Sequence, residues 1–590
     1  MLARILSDNG AFNPSSFLIV ADVSQWLPVW ITPFWLIAVG LAAGAGLLIA
    51  FFGILAGLSF LPPLGNLAQN RFKATVVATC LSLLMGIALC VQFVPQVNPE
   101  KYRLHLVLPM LTIGVLLGWG LVYGVWSRTR QEMLQILSEG PMPFILGTAG
   151  IVALIGFSGS WLVENPRGIL ESVRQVNLLD DGTRVVSVSI PGIGEDVLAD
   201  EAPFVRAGDL QYDASTITEL SVVADRFVRI ADANDPDLFS RAPTQLIPGE
   251  SVSYRLGEKA IPPIPLDSDL LHIQNTETDE ATISFTFVRK PAVRQASTVP
   301  LVAFSFFLLV VAYIVFRQAA PRIAAVSLAT AKSEMAQPLY LVLLALGVVA
   351  LLLLMIVPFH TLGEDIKMMK DCSLTLIMVF ALVQFVWAAG SSVSEEIEGR
   401  TALTVLSKPI SRSGFLIGKF LGILMTVLVL FIILGTVLAA TVSYKPLFEA
   451  RESSEEQPVW QIAHEEVLTT FPPLVLFFME TVAIGAIAVA LATRLPLLPN
   501  FIICFTIYVI GNLTAPIVRS AVGENAFVAF FGKFIAVIVP NLNAFSGQAA
   551  IDSGLAIPPI YLAGVFNYLI CFCIMILMVA MLLFEDRDLA

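Results

Sequence analysis

The chain predicts a polytopic α-helical membrane protein of about eleven spans, with an extracytoplasmic all-β, sandwich-like domain inserted between spans four and five. Three observations lead there. Of 590 residues, 57 % are apolar and only 14 % are charged, a balance that soluble domains of this size do not show. Apolar runs of about 20 residues, the length that crosses a hydrocarbon core, recur along the whole chain. One polar stretch interrupts them, and its roughly ten acids in excess of bases are close to the whole net charge of −12.

Residues 1–162 read as an N-terminal membrane region of about four spans, at 31–60, 73–94, 104–126 and 141–162. The first run is long enough for a tilted span, a broken helix or a re-entrant hairpin. Residues 1–29 hold no compact apolar region ending in a small-residue cleavage site, so a cleavable signal peptide is not expected.

Residues 163–297 change character. Apolar residues alternate in Arg184–Ile190, Glu219–Ala224, Phe227–Ile230, Ser251–Leu256 and Ala281–Val288, runs rich in Val, Ile, Thr and Phe. Turn-forming Pro-Gly, Asp-Gly and Asn-Asp-Pro-Asp separate them, which predicts a small β-sandwich. Asp232, Asn234, Asp235 and Asp237 invite a calcium reading, but Pro236 interrupts the loop and the glycine and terminal glutamate of an EF-hand are missing. A turn is the better account.

Residues 298–337 give a fifth span and a cytoplasmic linker, and 338–590 give six more spans, at 338–358, 372–392, 413–443, 470–493, 497–518 and 558–584. All six cysteines fall in or beside apolar runs and none in the β segment, so no disulfide framework is expected there. Within the 470–493 run, Glu480 is costly unless it faces a partner, a cavity or a substrate path, or else caps a helix–helix contact. Asn500, Asn512 and Asn567 suit hydrogen bonds between helices. The stretch Gly363–Asp371 reads as a solvated outer linker, with a short amphipathic helix at the surface as the alternative.

The segment Ser391–Lys419, SSVSEEIEGRTALTVLSKPISRSGFLIGK, lies between two spans and is crowded with charge. Ser392 and Glu395 have capping-box spacing, and a helix begun there would run to about Leu406, where Pro409 stops it. Its start is charged through Glu395, Glu396, Glu398 and Arg400, while Ala402, Leu403, Val405 and Leu406 supply an apolar side. Such a helix suits the headgroup level of a membrane, with charge offered to a partner.

The acidic run, Gly399-Arg400-Thr401, Ser407–Arg412 and Gly418-Lys419 together resemble, in order and spacing, the signature of bacterial ABC-2-type exporter permeases, in the branch labelled multicopper-enzyme-maturation permeases. The resemblance covers about residues 338–590, including the closing Phe584–Leu589, and is silent on residues 1–337. It implies a six-span core whose charged helix lies on the cytoplasmic face and contacts a separate ATPase. Glu395, Glu396, Glu398, Gly399, Arg400, Thr401, Lys408, Pro409 and Arg412 would be its coupling residues. Short re-entrant helices would fall in 526–550. The family also implies a homo- or heterodimer of permeases in the bacterial cytoplasmic membrane.

Alternation from a cytoplasmic 391–412 loop puts the C-terminus and the loops at 61–72, 127–140 and 318–337 inside, and the β-domain outside. Arg71, Arg128, Arg130, Arg322 and Lys332 on those inner loops fit the positive-inside rule. No nucleotide-binding loop occurs, since Gly414–Phe420 lacks both the spacing and the hydroxyl residue, so ATP and magnesium belong to the partner ATPase and no cofactor is expected here. His464-Glu465-Glu466 lacks the second histidine of a zinc-protease motif, and no enzyme activity is expected of this chain alone. Membrane lipid and, at the β-domain, an envelope protein are the further partners expected, and nucleic acid is not. The alternative is a non-transporting scaffold or sensor whose β-domain binds an envelope partner.

Overall fold

The computed structural model describes residues 14–97, 100–176, 183–193, 202–207, 217–255, 264–265, 270–289, 293–357, 359, 364–398, 410–453, 456–521, 540–554 and 556–585. The chain divides into two units, a helical one formed by Met1–Glu164 with Val299–Ala590, and a second one at Asn165–Thr298.

The helical unit begins with α1 (Pro14–Leu58), one continuous helix through Pro28 and Pro33 rather than a hairpin. Helices α2 (Arg71–Phe93) and α3 (Arg103–Gly124) form a close hairpin. Small residues allow it: a Cβ on Gly114 would lie 2.5 Å from the Gly86 Cα, and one on Gly118 would lie 2.5 Å from the Ser82 Oγ. Gly114-x-x-x-Gly118 facing Ser82-x-x-x-Gly86 is the small-residue pairing that membrane helices use where burial of apolar surface gives no net drive. The run expected as a span at 141–162 is half of a bent pair, α4 (Ser127–Ser138) and α5 (Met142–Ser158), which meet at 71° beside Gly140.

In the second unit α6 (Pro166–Arg174) leads, among the described residues, into eight strands: β1 (Thr183–Ile190), β2 (Val205–Arg206), β3 (Ile217–Ala224), β4 (Val228–Ala231), β5 (Thr244–Leu246), β6 (Ser251–Arg255), β7 (His272–Asn275) and β8 (Ala281–Arg289). They make two four-stranded sheets in the orders β1-β8-β3-β6 and β2-β7-β4-β5. Alternation decides which side chains go inside: Ala281, Ile283, Phe285 and Phe287 of β8 share a core with Leu220 and Val222 of β3, Val228 and Ile230 of β4, and Ile273 of β7. Strands β2 and β5, two and three residues long, are too short to display a period, and β7, His272–Asn275, carries only one strongly apolar residue, Ile273. Asp232 accepts from the Ser240 backbone N–H and the following residues Pro236–Leu238 form a 3₁₀ turn, so this acidic cluster is built as a turn.

The helical unit resumes with α7 (Thr298–Ala319), α8 (Pro321–Met335), α9 (Pro338–Ile356), α10 (Asp365–Ala389), α11 (Glu395–Glu398), α12 (Arg412–Glu452), α13 (Trp460–Ala492), α14 (Leu497–Ala521), α15 (Gln548–Ser553) and α16 (Pro559–Glu585). Among the described residues nine helices are long and apolar enough to cross a membrane, or ten with the bent pair counted as one span, and α14 contributes a shorter apolar stretch, Leu497–Leu513. The chain is thus a mostly helical protein of multi-pass membrane type with a small β region. Segment 298–337 is more than a linker, because α8 packs along α12. A Cβ on Gly418 would meet the Val326 Cβ at 2.7 Å, and one on Gly422 the Ser327 carbonyl oxygen at 2.6 Å. Of the two readings of Gly363–Asp371, the linker gives way to helix: from Asp365 onward it is the first two turns of α10, continuous with the span rather than a separate short helix.

Candidate functional site

The charged segment leaves the helical unit through an irregular turn. α10 does not stop at a new helix cap; it continues through a π-helical turn, Gly390–Ser394, straight into α11. Ser392 accordingly donates to the Ala388 carbonyl at 2.6 Å and does not cap the turn at Glu395, which corrects the capping-box reading. Two neighbouring serines tie the same turn to other elements. Ser391 Oγ donates to Glu334 Oε1 on α8 at 3.3 Å, and Ser394 Oγ donates to the Leu495 carbonyl, between α13 and α14, at 2.9 Å. Gly390 is required here, since a Cβ would lie 2.8 Å from the Leu497 Cγ. π turns are rare, occur mostly as single-turn bulges inside α-helices, and are frequent at functional sites.

That turn places Glu396 against Lys419. The ammonium of Lys419, buried on α12, donates to Glu396 Oε1 at 2.6 Å and also stands 5.5 Å from the Phe415 ring centre. Glu334, only 2 % exposed, completes the cluster from α8. Burial pushes its carboxyl up to about 7, Ser391 and the nearby Lys419 charge pull it down, and Glu396 and Glu395 push it up again. Its second oxygen is buried without a hydrogen-bond partner among the described residues. Glu396 therefore pairs with the buried ammonium, and Glu334 feels its charge from the other side.

The returning end of the segment is equally anchored. Ser411 caps α12 by accepting from the Gly414 N–H at 3.0 Å, Arg412 donates to the Glu585 carbonyl at the end of α16 at 2.9 Å, and Phe415 stacks on Phe584 with ring centres 6.0 Å apart. Of the residues expected to couple, Glu395, Glu396 and Arg412 lie at these two roots, and Glu398 ends α11. Gly399, Arg400, Thr401, Lys408 and Pro409 lie outside the described residues, as do 526–539 of the expected re-entrant stretch.

Glu480 sits apart from this cluster, buried on α13 and accepting from Asn512 of α14 at 3.3 Å. The other intramembrane asparagines also bond between elements or turns, Asn567 to the His105 carbonyl of α3 at 2.9 Å and Asn500 to the Ala488 carbonyl at 3.0 Å. A second charged group escaped sequence reasoning altogether. At the opposite ends of α10, α12 and α13, Lys370 pairs with Glu466 and donates to Thr469 at 2.9 Å. Nearby, fully buried Lys445 lies 5.1 Å from the Phe448 ring centre and 3.9 Å from Glu449 Oε1. The signal was the position of Lys370 and Glu466, each one turn before an apolar run, which reads as loop unless the helices are known to extend outward.

No family model, curated protein or solved structure matches this chain.

Proposed function

We propose that this chain is the membrane subunit of an ATP-driven exporter of the ABC-2 type, coupled through its 391–412 segment to a separate cytoplasmic ATPase. The observation that carries this reading is the Glu396–Lys419 contact, which joins the charged segment directly to a core helix, with Arg412 joining its far end to α16. A force applied at either described root of the segment reaches α8, α10, α12 and α16 through bonded groups.

In the mechanism that follows, the ATPase engages the acidic start and Arg400. Moving α11 withdraws Glu396 from Lys419 and leaves the ammonium to Glu334. An exchange of carboxylate partners keeps the buried positive charge compensated in both positions, which a single pair does not allow. Two permease subunits, identical or not, would work together in the bacterial cytoplasmic membrane, with the β unit outside as a partner- or substrate-handling module.

The test is co-purification. Tagged chain extracted from native membranes in mild detergent should retain a stoichiometric P-loop ATPase, and Arg400→Glu should lose it while still inserting. Retention of the ATPase by Arg400→Glu counts against the coupling role. Recovery of envelope proteins alone, held through residues 163–297, would favour a scaffold or sensor.

A further inference from the structure

A cavity of about 390 Å³ opens in the helical unit where α2 begins and α3 and α7 end. It is lined by Arg71, Arg128 and Arg317 together with Tyr123, Trp126 and Gln318. The arginines differ in how far they are already satisfied. Arg128 pairs with Glu132 at 2.8 Å and lies over the Trp126 ring, and Arg317 pairs with Glu139 at 2.8 Å. Arg317 nevertheless keeps its Nη1 buried with no hydrogen-bond partner among the described residues. Arg71 makes neither ion pair nor side-chain hydrogen bond among them, so two acids face three guanidinium groups, and the cavity has donors to spare for an anion.

We propose that this cavity binds the phosphate head group of an anionic phospholipid. Guanidinium donors match phosphate oxygens in number and geometry. The level of the cavity also fits, because it lies where three spans end, and a basic recess between spans at that depth is the arrangement that selects anionic head groups. Trp119 and Tyr123 stack with ring centres 5.6 Å apart and Trp126 lies edge-on to Tyr123, an aromatic group of the kind that settles at the head-group level. A course for the acyl chain begins one residue beyond Arg71. Phe72, Val76, Leu83 and Ile87 are all exposed and fall on one face of α2, running from the cavity mouth into the depth of the membrane. A free phosphate ion would have no use for that apolar stripe, and this favours the lipid as the source.

The experiment uses the full chain, delipidated in a neutral detergent, with bound lipids counted by native mass spectrometry. The probes are phosphatidylglycerol, phosphatidylcholine and inorganic phosphate. The chain should hold one phosphatidylglycerol in preference to phosphatidylcholine. Arg71→Gln should weaken that one lipid about five-fold, as expected for one arginine at a lipid surface, and Arg71→Lys should keep most of the binding. The Arg71 side chain is exposed and makes no ion pair or hydrogen bond among the described residues, so its replacement leaves the helix cap at Asn70 and the fold in place. Lys73→Gln, two residues away but outside the cavity lining, should change nothing. Equal loss in Lys73→Gln would show diffuse surface attraction and overturn the site. So would equal binding of the two lipids. Displacement of the bound lipid by millimolar inorganic phosphate would assign the cavity to a soluble phosphate instead and overturn the lipid proposal.

Discussion

Replacing Glu334 by glutamine separates a titrating carboxyl from its shape. In the folded chain burial holds this group up to about 7 against an ordinary 4.5, so the native state keeps a proton that the unfolded chain has already released. A raised carboxyl stabilises the fold fully below the ordinary value, and that contribution is lost as pH rises through about 7. The interval corresponds to about 3 kcal/mol between about pH 4.5 and pH 8. Glutamine cannot ionise and keeps an oxygen for Ser391, so the variant avoids the loss. The assay is thermal unfolding of detergent-solubilised protein, followed by tryptophan fluorescence at a series of pH values. Wild type and variant should unfold together near about pH 5, and the variant should be more stable by several degrees at about pH 8, where the carboxylate would otherwise be charged and buried. A difference between them that does not change with pH would refute the placement of Glu334 in a desolvated cluster.

Three further outcomes follow from the packing. Lys419→Met leaves Glu396 and Glu334 without their ammonium and should cost about 3 kcal/mol or more, and adding Glu396→Gln should restore part of it; thermal unfolding of the single and double variants reads the coupling directly. Gly118→Leu forces a side chain into Ser82 and should separate the α2–α3 hairpin at a cost of about 1–3 kcal/mol, visible as faster hydrogen exchange confined to those two helices. Phe285→Ala empties the centre of the β core and should cost about 3–5 kcal/mol, read as lost exchange protection across β3 and β8 in the full-length protein.

The helical membrane class and the β region were legible because each rests on a repeated pattern. Nine of the eleven expected spans coincide with helices of spanning length among the described residues, since runs of about 20 apolar residues have few other stable arrangements. The five anticipated strands follow their alternation closely, Ala281–Arg289 against an expected 281–288. What stayed hidden depends on contacts distant in sequence. Lys370 and Lys445 look like loop charges until α10 and α12 are seen to extend past the apolar runs and bury them. Glu334 lies in a stretch that reads as a linker, and only glycines 418 and 422 of α12, by admitting α8 so closely, turn it into a buried partner of the coupling segment. Ser392 has the spacing of a cap, yet the continuing helix occupies its hydroxyl instead.

The proposed coupling role is tested most directly by purifying the tagged chain from its native membranes and weighing what comes with it. Wild type should carry a P-loop ATPase in a fixed ratio, Lys419→Gln should keep the ATPase bound while uncoupling its hydrolysis from the membrane subunit, and Arg400→Glu should lose it. A chain that purifies without any ATPase, or whose ATPase is indifferent to both substitutions, would contradict the account.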